Sequence, residues 1–194
     1  DKPMGGAGFT EEEPATDPVS LYAATKRSGE LMSQSYAKLY GFPMTGLRFF
    51  TVYGPWGRPD MAYFGFTQKI LAGESIEVYG QGKMARDFTY IDDIVDGILG
   101  ALDHPPERHG HRILNIGDSR PVGLMDMIKA LEEALGIEAE KIMRPMQPGD
   151  VTSTYADVSK LHALTGYAPK VMLEDGLKKF ASWYRDFYGN LPPE

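Results

Sequence analysis

Short apolar runs alternate with stretches of helical periodicity along most of this chain, and that alternation constrains the fold more than any other feature. "MTGLRFFTVYG" (44–54), "SIEVYG" (75–80), "FTY" (88–90) and "RILNIG" (112–117) are rich in β-branched and aromatic residues, as buried strands are. Between and after them lie "AYFGFTQKILAG", "IDDIVDGILGALDH", "GLMDMIKALEEALG" and "LEDGLKKFASWYRDFYG", with apolar residues three and four apart. Strands separated by helices of this length predict an α/β protein with a largely parallel sheet.

The longest helix is expected before the first strand. Asp17 offers an N-cap with Pro18 at the first helical position, and Gly41 a C-cap. Leu21, Ala24, Ser28, Leu31, Met32, Ser35, Tyr36 and Leu39 form its packing stripe. In "FTYIDDIVDGILGALDH", Asp92 or Asp93 is expected to cap the helix. A further short helix is expected near 157–165. The segment "MRPMQPGDVTSTYAD" (143–157) reads as extended and proline-marked. "HPPERHGHR" holds three of the four histidines and reads as a polar turn, with no carboxylate or cysteine at metal-ligand spacing.

Composition removes several function classes. The formal net charge of −7 lacks the basic face that nucleic-acid phosphates require. No run approaches the roughly 18 consecutive apolar residues of a membrane span. With no cysteine there is neither a disulfide framework nor a thiol nucleophile, which fits a reducing, cytoplasmic setting.

Tyr22 and Lys26 lie four residues apart on the first helix and so share one face. A tyrosine hydroxyl titrates near pH 10; a neighbouring ammonium and a cationic nicotinamide ring would favour the phenolate. Such a couple suits proton transfer during oxidation of an alcohol beside NAD. A packed tyrosine next to a solvated lysine has the same spacing. No dinucleotide fingerprint accompanies the pair: "MGGAGF" follows no strand, and "YGQGKMARD" leads into a strand rather than a helix.

Taken in order, "YAATKRSGE", "GLRFFTVYGPWGRPDM", "ARDFTYIDDIVDGI", "NIG" and "PGDV…YAD" resemble the extended short-chain dehydrogenase/reductases, the NAD-dependent epimerase/dehydratase family. The block "RFFTVYGPWGRPDMA" (48–62) is most like that of the UDP-glucuronate 4-epimerases. The resemblance implies the later strands of a Rossmann-like doubly wound sheet plus a small α/β substrate lobe. It divides the chain into a partial NAD-binding domain (1–54 and 86–118) and a nucleotide-sugar-binding lobe (55–85 and 119–194). It also implies roles. Tyr22 takes the proton from the sugar C4 hydroxyl, while Lys26 holds the nicotinamide ribose and tunes Tyr22. Phe50, Thr51 and Val52 lie beside the nicotinamide. Arg86 meets the UDP phosphates, and Asp150 accepts from the uridine ribose. Gln147 stands where many relatives carry an arginine, which weakens a second phosphate clamp there. Thr51 and Arg58 are expected to hold a C6 carboxylate. Arg48 reads as structural, paired with an acidic neighbour.

The implied reaction is C4 epimerisation of UDP-glucuronate to UDP-galacturonate by transient NAD-dependent oxidation. Other expectations are a homodimer through the 17–41 helix and no metal. The glycine-rich turn and the Thr/Ser segment of the family are absent from the sequence, so it reads as the C-terminal portion of a longer enzyme, inactive alone. A UDP-glucuronate decarboxylase, a UDP-galactose 4-epimerase and a nucleotide-sugar dehydratase are the alternatives within the superfamily. Outside it stands a non-catalytic fragment or dimerisation module.

Overall fold

A computed structural model describes residues 8–13, 15–18, 20–146 and 151–189. Its first helix, α1 (Leu21–Tyr40), starts later than the sequence suggests. Ser20, not Asp17, is the N-cap, its Oγ accepting from the Ala23 N–H at 3.1 Å. The competition was between two good capping residues, and the hydroxyl that satisfies an orphan amide wins. Gly41 ends the helix in the left-handed conformation, as expected.

The expected single strand at 44–54 divides at Phe50. Strand β1 (Met44–Phe49) pairs in parallel with β5 (His111–Ile116), whereas β2 (Thr51–Tyr53) pairs in parallel with β4 (Ala85–Tyr90). The Phe50 N–H still reaches the Ile116 carbonyl at 3.3 Å, so the chain passes from one partner to the next without a loop. Between them run α2 (Ala62–Leu71) and β3 (Ile76–Val78), the latter followed by a 3₁₀ turn at Tyr79–Gly82. In helix α3 (Ile91–Asp103) Tyr90 holds the N-cap position without a side-chain capping bond, and Asp92 and Asp93 sit inside the first turn, where acidic side chains still suit the dipole.

Three very short strands escape the periodicity reading. They are β6 (Pro121–Gly123), antiparallel to β4; β7 (Lys141–Met143), parallel to β3; and β8 (Ser153–Thr154), parallel to β4. Helices α4 (Leu124–Leu135), α5 (Ser159–Thr165) and α6 (Leu173–Tyr188) fall where the sequence places helices. Among the described residues, four of the five pairings between strands are parallel. The fold is therefore α/β with a largely parallel arrangement.

The main core gathers Tyr53, Tyr63, Phe64, Met127, Leu131, Leu177, Phe180 and Tyr184 between the short strands and helices α2, α4 and α6. A smaller core of Ile94, Leu114, Ile116, Leu161 and Tyr167 joins β5 to α3 and α5. Helix α1 departs from its expected role. Its stripe does not pack: Leu21, Leu31, Met32, Tyr36 and Leu39 are 83%, 49%, 62%, 51% and 72% exposed. The face turned to the sheet carries Ala23, Arg27, Glu30, Ser33 and Ala37 instead. Among the described residues no helix is long and apolar enough to cross a membrane.

Candidate active site

Strands β1 and β2 and the N-terminal turn of α1 surround a cavity of about 360 Å³. Tyr22 lines it with Phe49, Phe50 and Val52, and Arg58 lies at its far side in the loop 54–58. It sits at the carboxyl ends of parallel strands, the usual crevice for ligands in open α/β sheets. Lys26 stands one turn beyond Tyr22 with its Nζ 5.2 Å from the ring centre, a cation–π contact. The pair thus shares a helix face, as spacing requires.

A second cavity of about 230 Å³ adjoins the first, and Met61 and Tyr63 line both. Thr51 and Arg86 belong to this second space. Successive side chains of a strand point to opposite faces, which sends Thr51 one way and Val52 the other. Thr51 and Arg58 are consequently not in one cavity; Met61 and Tyr63 stand between them. Arg58 is solvent-facing, paired with Asp60 at 3.3 Å and touching Met61 Sδ at 3.6 Å. Arg86 donates to the carbonyls of Ala85 at 2.9 Å and Thr152 at 3.5 Å. Gln147 and Asp150 lie outside the described residues.

The strand that carries Arg86 is anchored by Asp87. The buried Asp87 carboxylate accepts from the backbone N–H groups of Asp118 (2.7 Å), Ser119 (3.0 Å) and Ala156 (2.9 Å) and from Thr89 Oγ1 (3.2 Å). Burial raises its pKa, and these donors oppose the rise. The result pins β4 to the turn after β5 and to the segment after β8.

Two site residues were invisible to motif reasoning. Tyr63 is buried, its pKa pushed up to about 12 by desolvation, and a backbone hydrogen bond to Gly54 acts the other way. Trp56 is 73% exposed and adopts φ +61°, the left-handed region that side chains avoid. Its ring lies 5.3 Å from that of Trp183 and 4.9 Å from that of Phe187, so contacts from α6 hold it there. The only available signal was the turn-rich "GPWG" itself. Arg48 is structural, as the sequence suggested: it forms a fork with Glu30.

Among the described residues no cluster of His, Asp or Glu could hold a metal ion. For a dinucleotide the residues fit one end only. An aromatic and aliphatic wall beside Tyr22 and Lys26 suits a nicotinamide riboside, but no glycine-rich turn opens a described helix to receive a pyrophosphate.

A Tyr–Lys helix packed beside parallel strands, with a cavity at their carboxyl ends, defines a Rossmann-like α/β protein. Residues 2–117 match the model of the NAD dependent epimerase/dehydratase family, and the chain belongs to that family. It is 47% identical to a probable UDP-glucuronate 4-epimerase of Rhizobium meliloti, covering 93% of this chain and 58% of that protein. UDP-glucuronate 4-epimerase 5 of Arabidopsis thaliana is 48% identical over 93% of this chain and 44% of its own length. The chain thus spans about half the length of these relatives. Among solved structures, UDP-glucuronic acid 4-epimerase from Bacillus cereus, in complex with UDP-glucuronic acid and NAD, superposes with a TM-score of 0.86. It is 35% identical, and the match covers 96% of this chain and 59% of that one.

Proposed function

We propose that this chain is the catalytic and substrate-binding portion of an NAD-dependent UDP-glucuronate 4-epimerase. The observation that carries the reading is the pair of adjoining cavities behind Met61 and Tyr63, one with Tyr22, Phe50, Val52 and Arg58, the other with Thr51 and Arg86. The relatives and solved neighbours named for UDP-glucuronate support the same substrate.

Tyr22 takes the proton from the C4 hydroxyl and returns it after the sugar turns over. Lys26, over the Tyr22 ring, favours the phenolate by its charge. When bound, NAD supplies hydride uptake and return, so no net redox change results. Phe50 and Val52 give the nicotinamide an apolar wall that excludes water. Arg86 binds the UDP phosphates, for which a guanidinium fork is suited, and by resemblance to the family Asp150 accepts from the uridine ribose and Gln147 belongs to the substrate-binding set. Arg58 exchanges Asp60 for the C6 carboxylate, whereas Thr51 lines the adjoining cavity with Arg86. Most of the small core around β5 belongs to the cofactor half (1–54 and 86–118), with Leu161 and Tyr167 contributed from 119–194, and most of the larger core belongs to the substrate lobe (55–85 and 119–194). The exposed apolar face of α1 pairs with a second copy to make a homodimer.

The test joins this chain to the N-terminal Rossmann half of a relative and follows UDP-glucuronate with catalytic NAD. UDP-galacturonate is the expected product, and Tyr22→Phe is expected to abolish it. Arg58→Ala is expected to lower kcat/KM for UDP-glucuronate but not for UDP-glucose. The 194-residue chain alone, in which no glycine-rich turn opens a described helix, is expected to form no product. A joined protein that epimerises UDP-glucose and leaves UDP-glucuronate untouched would sink the proposal.

A further inference from the structure

Helix α1 meets the rest of the chain through very little apolar surface: Ala37 is its one buried residue among those described. A surface helix ordinarily fixes its rotation by burying its apolar stripe. On α1 that stripe faces outward, and what holds the inner side is polar. The Glu30 carboxylate accepts Arg48 Nε at 2.7 Å and Arg48 Nη2 at 3.0 Å, a two-bond fork onto β1. It also accepts Arg27 Nη1 at 2.8 Å from its own helix. The Glu30 and Arg48 side chains are only 18% and 24% exposed, so water competes weakly for the fork.

Glu30 stands four residues beyond Lys26 and eight beyond Tyr22. At 3.6 residues per turn, three positions spaced by four spread over about 80° of the helix circumference. Tyr22 stands 68% exposed at the rim of the cavity, so the roll that seats Glu30 on Arg48 also decides how far its ring reaches in. Arg48 precedes Phe49, the last residue of the same strand, and Phe50, both of the cavity wall, and β1 is locked in register with β5, Arg48 opposite Asn115.

We propose that Glu30 and Arg48 are a positioning pair: their two parallel hydrogen bonds fix the roll of α1 against β1 and thereby hold Tyr22 at the cavity with Lys26 over its ring. The proposal rests on reading Tyr22 and Lys26 as the proton-transfer couple. Neither member lines the cavity; both act through the helix. One hydrogen bond is a pivot about which the helix can turn, whereas a planar guanidinium meeting a carboxylate through two bonds resists turning. Lysine would retain the charge and lose that restraint.

The chain contains no cysteine, so a single cysteine at Phe49 can carry a nitroxide, and ¹³C-labelled tyrosine then reports its distance to the Tyr22 ring. Tyr22→Phe assigns the resonance. In the parent, Tyr22 is expected to be strongly broadened by the label. Arg48→Lys and Glu30→Gln are each expected to lose that broadening while the core resonance of Tyr184 keeps its position. Arg27→Gln, which removes only the bond within the helix, is expected to retain it. Undiminished Tyr22 broadening in a folded Arg48→Lys or Glu30→Gln protein would overturn the proposal, as would its absence in the parent. If Arg48→Lys does not fold, Glu30→Gln decides. The measurement uses neither NAD nor a sugar nucleotide, so its failure is distinct from failure of the turnover experiment, which judges the epimerase reading alone.

Discussion

The Tyr63 hydroxyl occupies the space a side chain at Gly57 would need: a Cβ built there stands 1.8 Å from the oxygen and 3.0 Å from the ring carbon that bears it. The loop that presents Arg58 is therefore seated on Tyr63 by a contact only glycine permits. Gly57→Ala is expected to push the loop off this seat and destabilise the chain by about 1–3 kcal/mol. Tyr63→Phe alone should cost about 1 kcal/mol for the lost hydrogen bond. Because phenylalanine removes the clashing oxygen, the double variant should be more stable than the two losses added together. Urea unfolding of the four proteins measures this; strict additivity would mean the contact is not the cause.

The Glu30–Arg48 fork also has a signature in pH. The guanidinium hydrogen bond holds the Glu30 carboxyl below its ordinary range, and Arg27 adds to the effect. A carboxyl whose folded pKa is depressed contributes stability above its unfolded value and loses it as pH falls through the folded value. The unfolding free energy is therefore expected to decline more steeply from roughly pH 5 to pH 3 in the parent than in Glu30→Gln. Parallel declines would show that the pair carries no linked proton.

Trp56 supplies an optical report on the cavity. The chain has two tryptophans, and only Trp56 lines the larger cavity, its ring against Trp183. Adding UDP-glucuronate to the protein of the relatives' length is expected to change tryptophan emission. Trp56→Phe is expected to remove most of the change, with binding by calorimetry retained. A response unaffected by Trp56→Phe would place the ligand elsewhere.

The outer face of α1 makes a prediction about assembly. Met32 and Leu39 are mostly exposed and lie on the stripe proposed for the dimer. Met32→Glu with Leu39→Glu should shift the sedimentation coefficient from dimer to monomer. The thermal midpoint of the monomer should barely move, since surface substitutions usually cost within about 0.5 kcal/mol. A dimer that survives both charges would exclude this face.

Much of the architecture was legible because it is local. Alternation of apolar runs with helical periods identified helices α2, α3, α4 and α6, and the glycines at 41 and 136 marked helix ends that do adopt the left-handed conformation. Tyr22 and Lys26 could be placed on one face from spacing alone. Strands β6, β7 and β8 could not be seen, because two or three residues carry no period and exist as strands only through their partners. The cap at Ser20 rather than Asp17 turned on which side-chain oxygen reaches an amide, a matter of geometry rather than residue type.

The sequence by itself determined the class of fold, the helix that carries Tyr22 and Lys26, and the family motifs that give those residues meaning. Each of these depends on neighbours within a few turns of chain. Only the tertiary structure decided that the stripe on α1 faces outward, that Arg48 finds Glu30, and that Met61 and Tyr63 part Thr51 from Arg58. Those outcomes depend on residues far apart in sequence meeting in space. No periodicity encodes which side of a helix its sheet will cover, or which side of a strand a given cavity will occupy.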